Sequence, residues 1–223
     1  MRALLLPIKD LRNAKQRLAD VLSPEQRFGL ADAMLADTLR AVRAIGSAAR
    51  VFVITNYEPA ALAAQQSGWE LLREREQTSE SASVDAASLV CEQRGVTSLL
   101  RLPLDLPLVQ AADIERLLET DCPAPGMLIV PSRDGTGTNA LLRTPPGLFP
   151  SQFGNGSFAK HVAEAQRVGA IPIVHRNARL EMDVDDQTDL RALLQQDLRG
   201  TATGRWLDDN RIASFLERRA AQA

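Results

Sequence analysis

The sequence predicts a Rossmann-like three-layer α/β/α fold with a mostly parallel sheet. Two observations predict it: short apolar runs recur along the 223 residues, and stretches with helical periodicity lie between them. Strands that alternate with helices form a mostly parallel sheet with helices on both faces. The sequence shows no internal repeat, low-complexity segment or linker, so we expect a single domain over residues 1–223.

Five apolar runs have the length and composition of strands. Residues 51–54 are the richest in β-branched and aromatic side chains, which favour strands. Pro172 predicts that the last run lies at an edge of the sheet, because proline cannot donate a hydrogen bond to a neighbouring strand. The predicted strands are residues 4–6, 51–54, 99–102, 127–130 and 170–174.

The clearest helix begins after Ser23. Ser23 is a good N-cap, Pro24 suits the first helical position, and Gln26 completes a capping box. Apolar residues then recur at steps of three and four as far as Ile45, and Gly46 suits a left-handed stop. The other predicted helices are residues 58–67, 85–94, 112–118, 157–168, 188–198 and 206–219, with Gly68, Gly95 and Gly169 as stops and Ser157 as a cap.

Composition and charge exclude several classes of protein. The formal net charge of −2 argues against a nucleic-acid-binding protein, which usually carries a basic domain or stripe. No apolar run is long enough for a signal peptide or a membrane span, so we expect a cytoplasmic protein without a membrane partner. Cys91 and Cys122 form neither a zinc motif nor a disulfide framework. An apolar stripe in residues 206–216 could pack on its own domain or form a homodimer contact.

Cationic side chains follow the first predicted strand. Lys9, Arg12, Lys15 and Arg17 lie within nine residues, and ligands of such sheets bind outside the carboxyl ends of strands. Lysine and arginine there suit a triphosphate; a solvated basic loop is the alternative. The sequence has neither the glycine-rich dinucleotide motif nor a P-loop.

Three aspartates predict a magnesium site. Asp105 follows the strand at residues 99–102, and Asp183 and Asp185 follow the last strand and point to one side of an extended segment. Carboxylates in this arrangement suit Mg²⁺ bound to substrate phosphates. The alternative is that they are turn or capping residues, a role we expect for Asp186 at the helix that follows.

Two glycine-rich segments could bind an anion. Residues 133–140 follow a strand, where a plain hairpin is the alternative, and residues 153–157 lead into a helix N-terminus. His161 lies one turn after Ser157 on the same helix face, so it could face the same ligand; a packing role is the alternative.

These motifs together resemble a known family, the phospholactate guanylyltransferases of deazaflavin coenzyme biosynthesis, within the molybdopterin-guanylyltransferase-like nucleotidyltransferases. Residues 80–87 depart from the family, which often has a Gly-Leu-Asn-Ala stretch there. The matching stretches, in chain order, are residues 7–9 with 14–18, 102–107, 137–141, 153–158 and 183–185 with 189–190.

The resemblance implies a nucleotidyltransferase-type fold and a reaction in which GMP passes from GTP to 2-phospho-L-lactate, phosphoenolpyruvate or 3-phosphoglycerate. It implies that Lys15 and Asp105 are catalytic and that Mg²⁺ is the cofactor, with GTP as co-substrate. The product would pass to the next transferase of the pathway. The implied roles are Lys9, Lys15 and Arg17 for the nucleotide, Thr138, Gly154 and Ser157 for the acid, and Asp105, Asp183 and Asp185 for the metal.

Two alternatives remain at this point. Asp183-Val184-Asp185 is the D-x-D pattern of sugar-nucleotide-dependent glycosyltransferases, although that pattern normally lies mid-chain. A non-catalytic nucleotide-binding protein on the same fold is the second alternative, since a fold does not fix a function.

Overall fold

Seven strands form one sheet within residues 1–46, 49–74 and 78–220, the parts of the chain that the computed structural model describes. They are β1 (Arg2–Ile8), β2 (Arg50–Thr55), β3 (Glu70–Leu72), β4 (Ser98–Arg101), β5 (Gly126–Pro131), β6 (Thr138–Thr144) and β7 (Ile171–Val174). Their order across the sheet is β3-β2-β1-β4-β6-β5-β7. Strand β6 is antiparallel to β4 and β5, and the other neighbouring pairs are parallel. The mostly parallel sheet is confirmed, and β7 lies at an edge as Pro172 predicted.

Eight α-helices lie in the same described ranges: α1 (Pro24–Arg43), α2 (Glu58–Gln66), α3 (Glu80–Gln93), α4 (Ala111–Glu119), α5 (Ser157–Arg167), α6 (Gln187–Leu193), α7 (Ala202–Asp209) and α8 (Ile212–Ala220). Helices α1, α2 and α4 pack on one face of the sheet. Helices α3 and α5 pack on the other face. Helices α6, α7 and α8 pack against α1 in a separate apolar cluster. The predicted three layers are therefore present.

The central strand β1 shows why the apolar runs are continuous rather than alternating. Leu4 and Leu6 pack in the cluster with α1, while Ala3 and Leu5 pack in the cluster with α3. A parallel strand covered on both faces buries successive side chains, so it needs an apolar residue at every position.

Helix α1 begins as predicted and ends earlier than predicted. Ser23 Oγ accepts from Gln26 N at 3.2 Å, and Gln26 Oε1 accepts from Ser23 N at 2.9 Å, which is a complete capping box. The helix ends at Arg43, and Gly46 is not in the left-handed region, so the predicted stop at Gly46 is wrong. Gly46 N instead donates to Glu115 at the start of the connection to β2. The stops at Gly68, Gly95 and Gly169 are confirmed by their positive φ angles.

Other predicted boundaries need correction. Helix α3 begins at Glu80 rather than Asp85, because Ser79 caps it by accepting from Ala82 N. Gly156 with φ 67° is the N-cap of α5, and Ser157 is its first helical residue rather than its cap. Asp186 caps α6 as predicted, but that helix ends at Leu193. Strands β3 and β6 were missed.

The last predicted helix is two helices. Arg211 has φ 53° between α7 and α8, and this left-handed residue turns the chain. Leu207, Ile212 and Leu216 are buried against α1 and α6, so the apolar stripe packs on its own chain. Within the described ranges no helix combines the length and apolar character that a membrane crossing requires.

Candidate active site

A cleft of about 900 Å³ opens at the carboxyl edge of the sheet. Its walls are the loops that follow β1, β4 and β7, the turn between β5 and β6, and the segment that leads into α5. This is the location that the strand-end rule predicts. Thr138 reaches the same edge because β6 is antiparallel and therefore begins there. The structure brings all nine predicted site residues to the cleft: Lys9, Lys15, Arg17, Asp105, Thr138, Gly154, Ser157, Asp183 and Asp185.

The loop after β1 places Lys15 between two carboxylates. Lys15 has φ 53° and separates two short 3-10 turns. Its Nζ donates to Asp105 Oδ2 at 2.6 Å and to Asp185 Oδ1 at 3.1 Å. Arg12 forms an ion pair with Asp10 and does not line the cleft, so one of the four predicted cations is turned away.

Lys15 and Asp105 form a partly buried ion pair, in which 9% of the Lys15 side chain and 27% of the Asp105 side chain are exposed. Burial opposes the charge on Lys15, but the carboxylates of Asp105 and Asp185 outweigh it and raise the pKa of Lys15 above its usual value. Burial also opposes the charge on Asp105, and the Lys15 ammonium outweighs it and lowers the pKa of Asp105. Lys15 is therefore a fixed positive charge at neutral pH. Arg17 lies 3.6 Å from Asp185, and both Arg17 and Lys9 are exposed at the rim.

Among the residues that the structure describes, none forms such an ion pair with Asp183. Burial, together with the nearby carboxylate of Asp105, raises the pKa of Asp183 to about 6, although a hydrogen bond from the Asn139 side chain opposes the shift. Negative charge is in excess here, and a cation would relieve it.

The donor set suits a hard cation that is shared with a substrate. In the described part of the chain, no three His, Cys, Asp or Glu side chains converge closely enough to hold a metal ion by themselves. Mg²⁺ is usually bound by one or two carboxylates together with phosphates and water, so a complete protein cage is not required. Asp105, Asp183 and Asp185 as ligands stay a prediction.

The turn between β5 and β6 is held by its own hydrogen bonds. Asp134 accepts from Ser132 Oγ at 2.5 Å and from Thr136 N at 3.0 Å, and these bonds lower the pKa of Asp134 to about 2. Gly137 is required because a Cβ atom there would lie 2.9 Å from Ser132 Oγ. The hairpin interpretation of residues 133–140 is correct for the backbone, and the same turn also lines the cleft.

Another part of the cleft wall contains the uncharged residues Thr138, Gly154 and Ser157. Thr138 Oγ1 lies 3.0 Å from His161 Nδ1, and His161 Nε2 accepts from Gln152 N at 2.9 Å. Gly154 has φ 110°, and its carbonyl accepts from Ser157 N at 3.1 Å. His161 is fully buried and does not line the cleft, so it contacts Thr138 rather than facing a ligand.

Sequence reasoning missed Arg101 and Glu80. Arg101 ends β4, donates to the Thr138 carbonyl at 3.2 Å, forms an ion pair with Glu80, and lies 4.2 Å from the centre of the Phe153 ring. Both Arg101 and Glu80 line the cleft. A lone arginine in the apolar run at residues 99–102 was the available signal.

Comparisons with known proteins extend this description. The family model described as "Guanylyl transferase CofC like" matches residues 1–221. Phosphoenolpyruvate guanylyltransferase of Rubrobacter xylanophilus is 37% identical over 190 residues, which are 85% of this chain and 91% of that relative.

Two solved structures share the fold. A putative nucleotide-diphospho-sugar transferase from Desulfovibrio desulfuricans G20 has a TM-score of 0.73 at 16% identity and covers 96% of this chain and 97% of its own. A nucleotidyl transferase from Methanothermobacter thermautotroptrophicus has a TM-score of 0.60 at 14% identity and covers 86% and 95%. At these identities the likeness concerns the fold, and the predicted nucleotidyltransferase-type α/β architecture is confirmed.

Proposed function

The chain belongs to the guanylyl transferase CofC-like family, and we propose that it transfers GMP from GTP to a small phosphorylated carboxylic acid with release of pyrophosphate. As a member of that family it is a nucleotidyltransferase enzyme, which is neither a glycosyltransferase nor a non-catalytic binding protein. The observation that carries the proposal is the Lys15 ammonium between Asp105 and Asp185, in the same cleft as the uncharged hydroxyl groups of Thr138 and Ser157. Both proposed substrates are anions, and this arrangement offers positive charge to one and hydrogen-bond donors to the other.

The proposed reaction is an in-line displacement at phosphorus. An oxygen of the acid's phosphate attacks the α-phosphorus of GTP and forms a new P–O bond. The bond between the α-phosphorus and the oxygen that bridges it to the β-phosphate breaks, and pyrophosphate leaves with that electron pair. The attacking phosphate is already ionised at neutral pH, so no general base is needed, and positioning and electrostatics supply the catalysis.

The charged residues are assigned to the nucleotide. Lys15, with Lys9 and Arg17, binds the triphosphate, and Lys15 stabilises the leaving pyrophosphate because its raised pKa keeps it charged. Asp105 and either Asp183 or Asp185 would hold Mg²⁺, which supplies positive charge where the two anions meet. Burial and the nearby carboxylate of Asp105 raise the pKa of Asp183, and a cation at this place would stabilise its charged form, which supports a metal site here.

Thr138, Gly154 and Ser157 are assigned to the acid. Because a homologue is named phosphoenolpyruvate guanylyltransferase, phosphoenolpyruvate is the first acid to test, ahead of 2-phospho-L-lactate and 3-phosphoglycerate. In deazaflavin coenzyme biosynthesis the product, a labile diphosphate, would be handed to the next transferase. A cytoplasmic location, a single domain over residues 1–223 and a homodimer stay predictions; the one sheet and the match over residues 1–221 support the single domain.

The test is pyrophosphate release. The purified chain is mixed with MgCl₂, each of the four ribonucleoside triphosphates and each of the three acids. The next transferase and its deazaflavin acceptor are added as a trap, because a labile product could inhibit the enzyme. Omission of MgCl₂, with EDTA added, tests the metal.

We expect release that requires GTP, one particular acid and Mg²⁺ together. Release with another nucleotide would keep the reaction but reject guanine as the base. A folded protein that binds GTP yet releases no pyrophosphate with any of the acids would reject the proposed acid substrates.

A further inference from the structure

The hydrogen bonds around His161 determine which ring nitrogen carries the proton. The Gln152 backbone amide can only donate, and it lies 2.9 Å from His161 Nε2, so Nε2 must be the acceptor. The neutral imidazole then carries its hydrogen on Nδ1. Burial and the neighbouring cations Arg143, Arg101 and Lys160 lower the pKa of His161 to about 3, so the ring is neutral at physiological pH.

The tautomer in turn determines the role of the Thr138 hydroxyl. With its hydrogen on Nδ1, His161 donates to Thr138 Oγ1 at 3.0 Å. The Thr138 oxygen is therefore an acceptor toward His161, and its own hydrogen points elsewhere. Thr138 lies at the cleft wall, so this hydrogen is available to a ligand in the cleft.

Packing holds the imidazole in this orientation. The ring of Phe153 lies edge-on to it at a centroid distance of 4.9 Å, and Phe149 lies on another side at 6.2 Å. The side chain is fully buried, so solvent cannot compete for either nitrogen. The same imidazole anchors Gln152, two residues before Gly154.

We propose that His161 is a positioning residue that fixes the Thr138 hydroxyl as a hydrogen-bond donor toward the anionic oxygens of the phosphorylated acid. This rests on the proposed function, in which Thr138 contacts the acid. A carboxylate or phosphate oxygen accepts hydrogen bonds and cannot donate them. If the Thr138 hydroxyl donated its hydrogen bond to His161, it would present only lone pairs to the anion and would repel it. The neutral Nδ1–H tautomer prevents this.

Two substitutions at His161 separate the two hydrogen bonds while removing the same ring. His161→Gln places an amide oxygen near the former Nε2, where it accepts from Gln152 N, and leaves Thr138 without a donor. His161→Asn places an amide N–H near the former Nδ1 and keeps the donor to Thr138. Thr138→Val removes the hydroxyl at nearly constant volume, and His161→Gln/Thr138→Val completes a double-mutant cycle.

The KM for the acid and the KM for GTP are both measured by pyrophosphate release and compared for each variant. We expect the acid KM to rise about three- to tenfold in His161→Gln and less in His161→Asn, with the GTP KM within about twofold. Thr138→Val should raise the acid KM by about tenfold or more, since a hydrogen bond to a charged group is lost. His161→Gln should add no further rise in the Thr138→Val background, but it should act undiminished in a Ser157→Ala background.

The proposal is overturned if His161→Gln raises the acid KM equally with and without the Thr138 hydroxyl, or raises the GTP KM as much, or changes neither. The tautomer is checked apart from turnover by long-range ¹H–¹⁵N NMR, with His175→Gln to assign the two histidines. A proton on Nε2 also overturns the proposal. Wild-type protein that shows the Nδ1–H tautomer but turns over no acid would instead count against the proposed function.

Discussion

Two groups of residues at the cleft differ in their charge. The charged half consists of Lys15, Arg17, Asp105, Asp183 and Asp185, and it sets three carboxylates against the Lys15 ammonium and the exposed Arg17 guanidinium. The neutral half consists of Thr138, Gly154 and Ser157 at the cleft, with Gln152 and His161 behind them, and both nitrogens of the buried His161 imidazole are hydrogen-bonded. The charged half therefore carries more negative than positive charge, whereas hydrogen bonds already fix the side chains of Thr138 and His161 in the neutral half.

This difference suggests a division of labour. A site with an excess of negative charge is completed by a cation and by phosphates when the nucleotide binds, so its residues act on charge that develops during the reaction. A site with fixed neutral donors binds the acid similarly in the ground state and the transition state. Substitutions in the charged half should therefore change kcat, and those in the neutral half should change the KM for the acid.

The largest effect is expected from Asp105→Asn. The change replaces the carboxylate next to Lys15 by a neutral amide of the same shape, and Lys15 keeps its hydrogen bond to Asp185. We expect kcat for pyrophosphate release to fall by about a hundredfold to a thousandfold, the usual cost of losing one preorganised electrostatic group. Steady-state kinetics at saturating GTP and acid provide the measurement.

A matched control for this variant is Asp197→Asn. Asp197 is an exposed carboxylate paired with Arg199 in the connection between α6 and α7. Asp197→Asn should leave kcat within about twofold of the wild-type value, because exposed ion pairs contribute little to stability. A similar kcat for Asp105→Asn and wild type, with the circular dichroism spectrum unchanged, would remove Asp105 from the catalytic residues.

The second largest effect concerns the neutral half, and we expect it in the pH dependence of the free energy of unfolding. His161 has an ordinary pKa of 6.5 in the unfolded chain and a pKa of about 3 when folded. The unfolded state therefore takes up the proton first as pH falls, so this stabilisation is present above pH 6.5 and is lost progressively toward pH 3. Between pH 7.5 and pH 5 the loss is about 2 kcal/mol.

His161→Gln has no such proton to bind. The difference in free energy of unfolding between wild type and His161→Gln should narrow by about 2 kcal/mol from pH 7.5 to pH 5, measured by urea denaturation. Parallel stability curves for the two proteins over that range would show that His161 is not held neutral by the fold.

A third, smaller effect is expected from Gly154→Ala. Gly154 has φ 110°, a conformation that residues with a Cβ rarely adopt, so alanine must shift the segment that leads into α5. We expect the KM for the acid to rise about tenfold while the KM for GTP changes less than twofold. Gly169→Ala is the matched control, because Gly169 also has positive φ, at 79°, but follows α5 away from the cleft. Equal changes in both KM values would contradict the division between the two halves.

Local signals in the sequence predicted much of the fold. The capping box of α1 involves residues three positions apart, so Ser23 and Gln26 sufficed to predict it. Strand β6 was missed because Thr138 begins it directly after a tight turn, and the glycines dominated the interpretation. The break between α7 and α8 was missed because the apolar periodicity continues past Arg211, where one positive φ angle changes the chain direction.

The site was predicted by position rather than by contact. The rule that ligands bind at strand ends selected Lys15 and Asp105, which are 90 positions apart in sequence. The rule could not predict that they bond to each other, because their distance depends on how β1 and β4 pair. The bond between His161 and Thr138 depends on how α5 packs beneath β6, and periodicity indicated only that His161 shares a helix face with Ser157.

The smallest predicted effect lies outside the cleft and tests whether loss of stability alone can imitate the effects in the neutral half. Ser23→Ala removes the side-chain half of the capping box of α1, and the loss should be about 1 kcal/mol, or about 2–4 °C in Tm for a domain of this size. The KM for GTP and the KM for the acid should both stay within about twofold, because α1 remains packed on the sheet through its buried face. Differential scanning calorimetry and pyrophosphate release measure the two quantities on one sample. If Ser23→Ala raised the KM for the acid as His161→Gln does, the effect of His161→Gln would reflect general destabilisation. If Ser23→Ala lowered the Tm as much as His161→Gln does but left the KM for the acid unchanged, the effect of His161→Gln would be specific to the Thr138 hydroxyl.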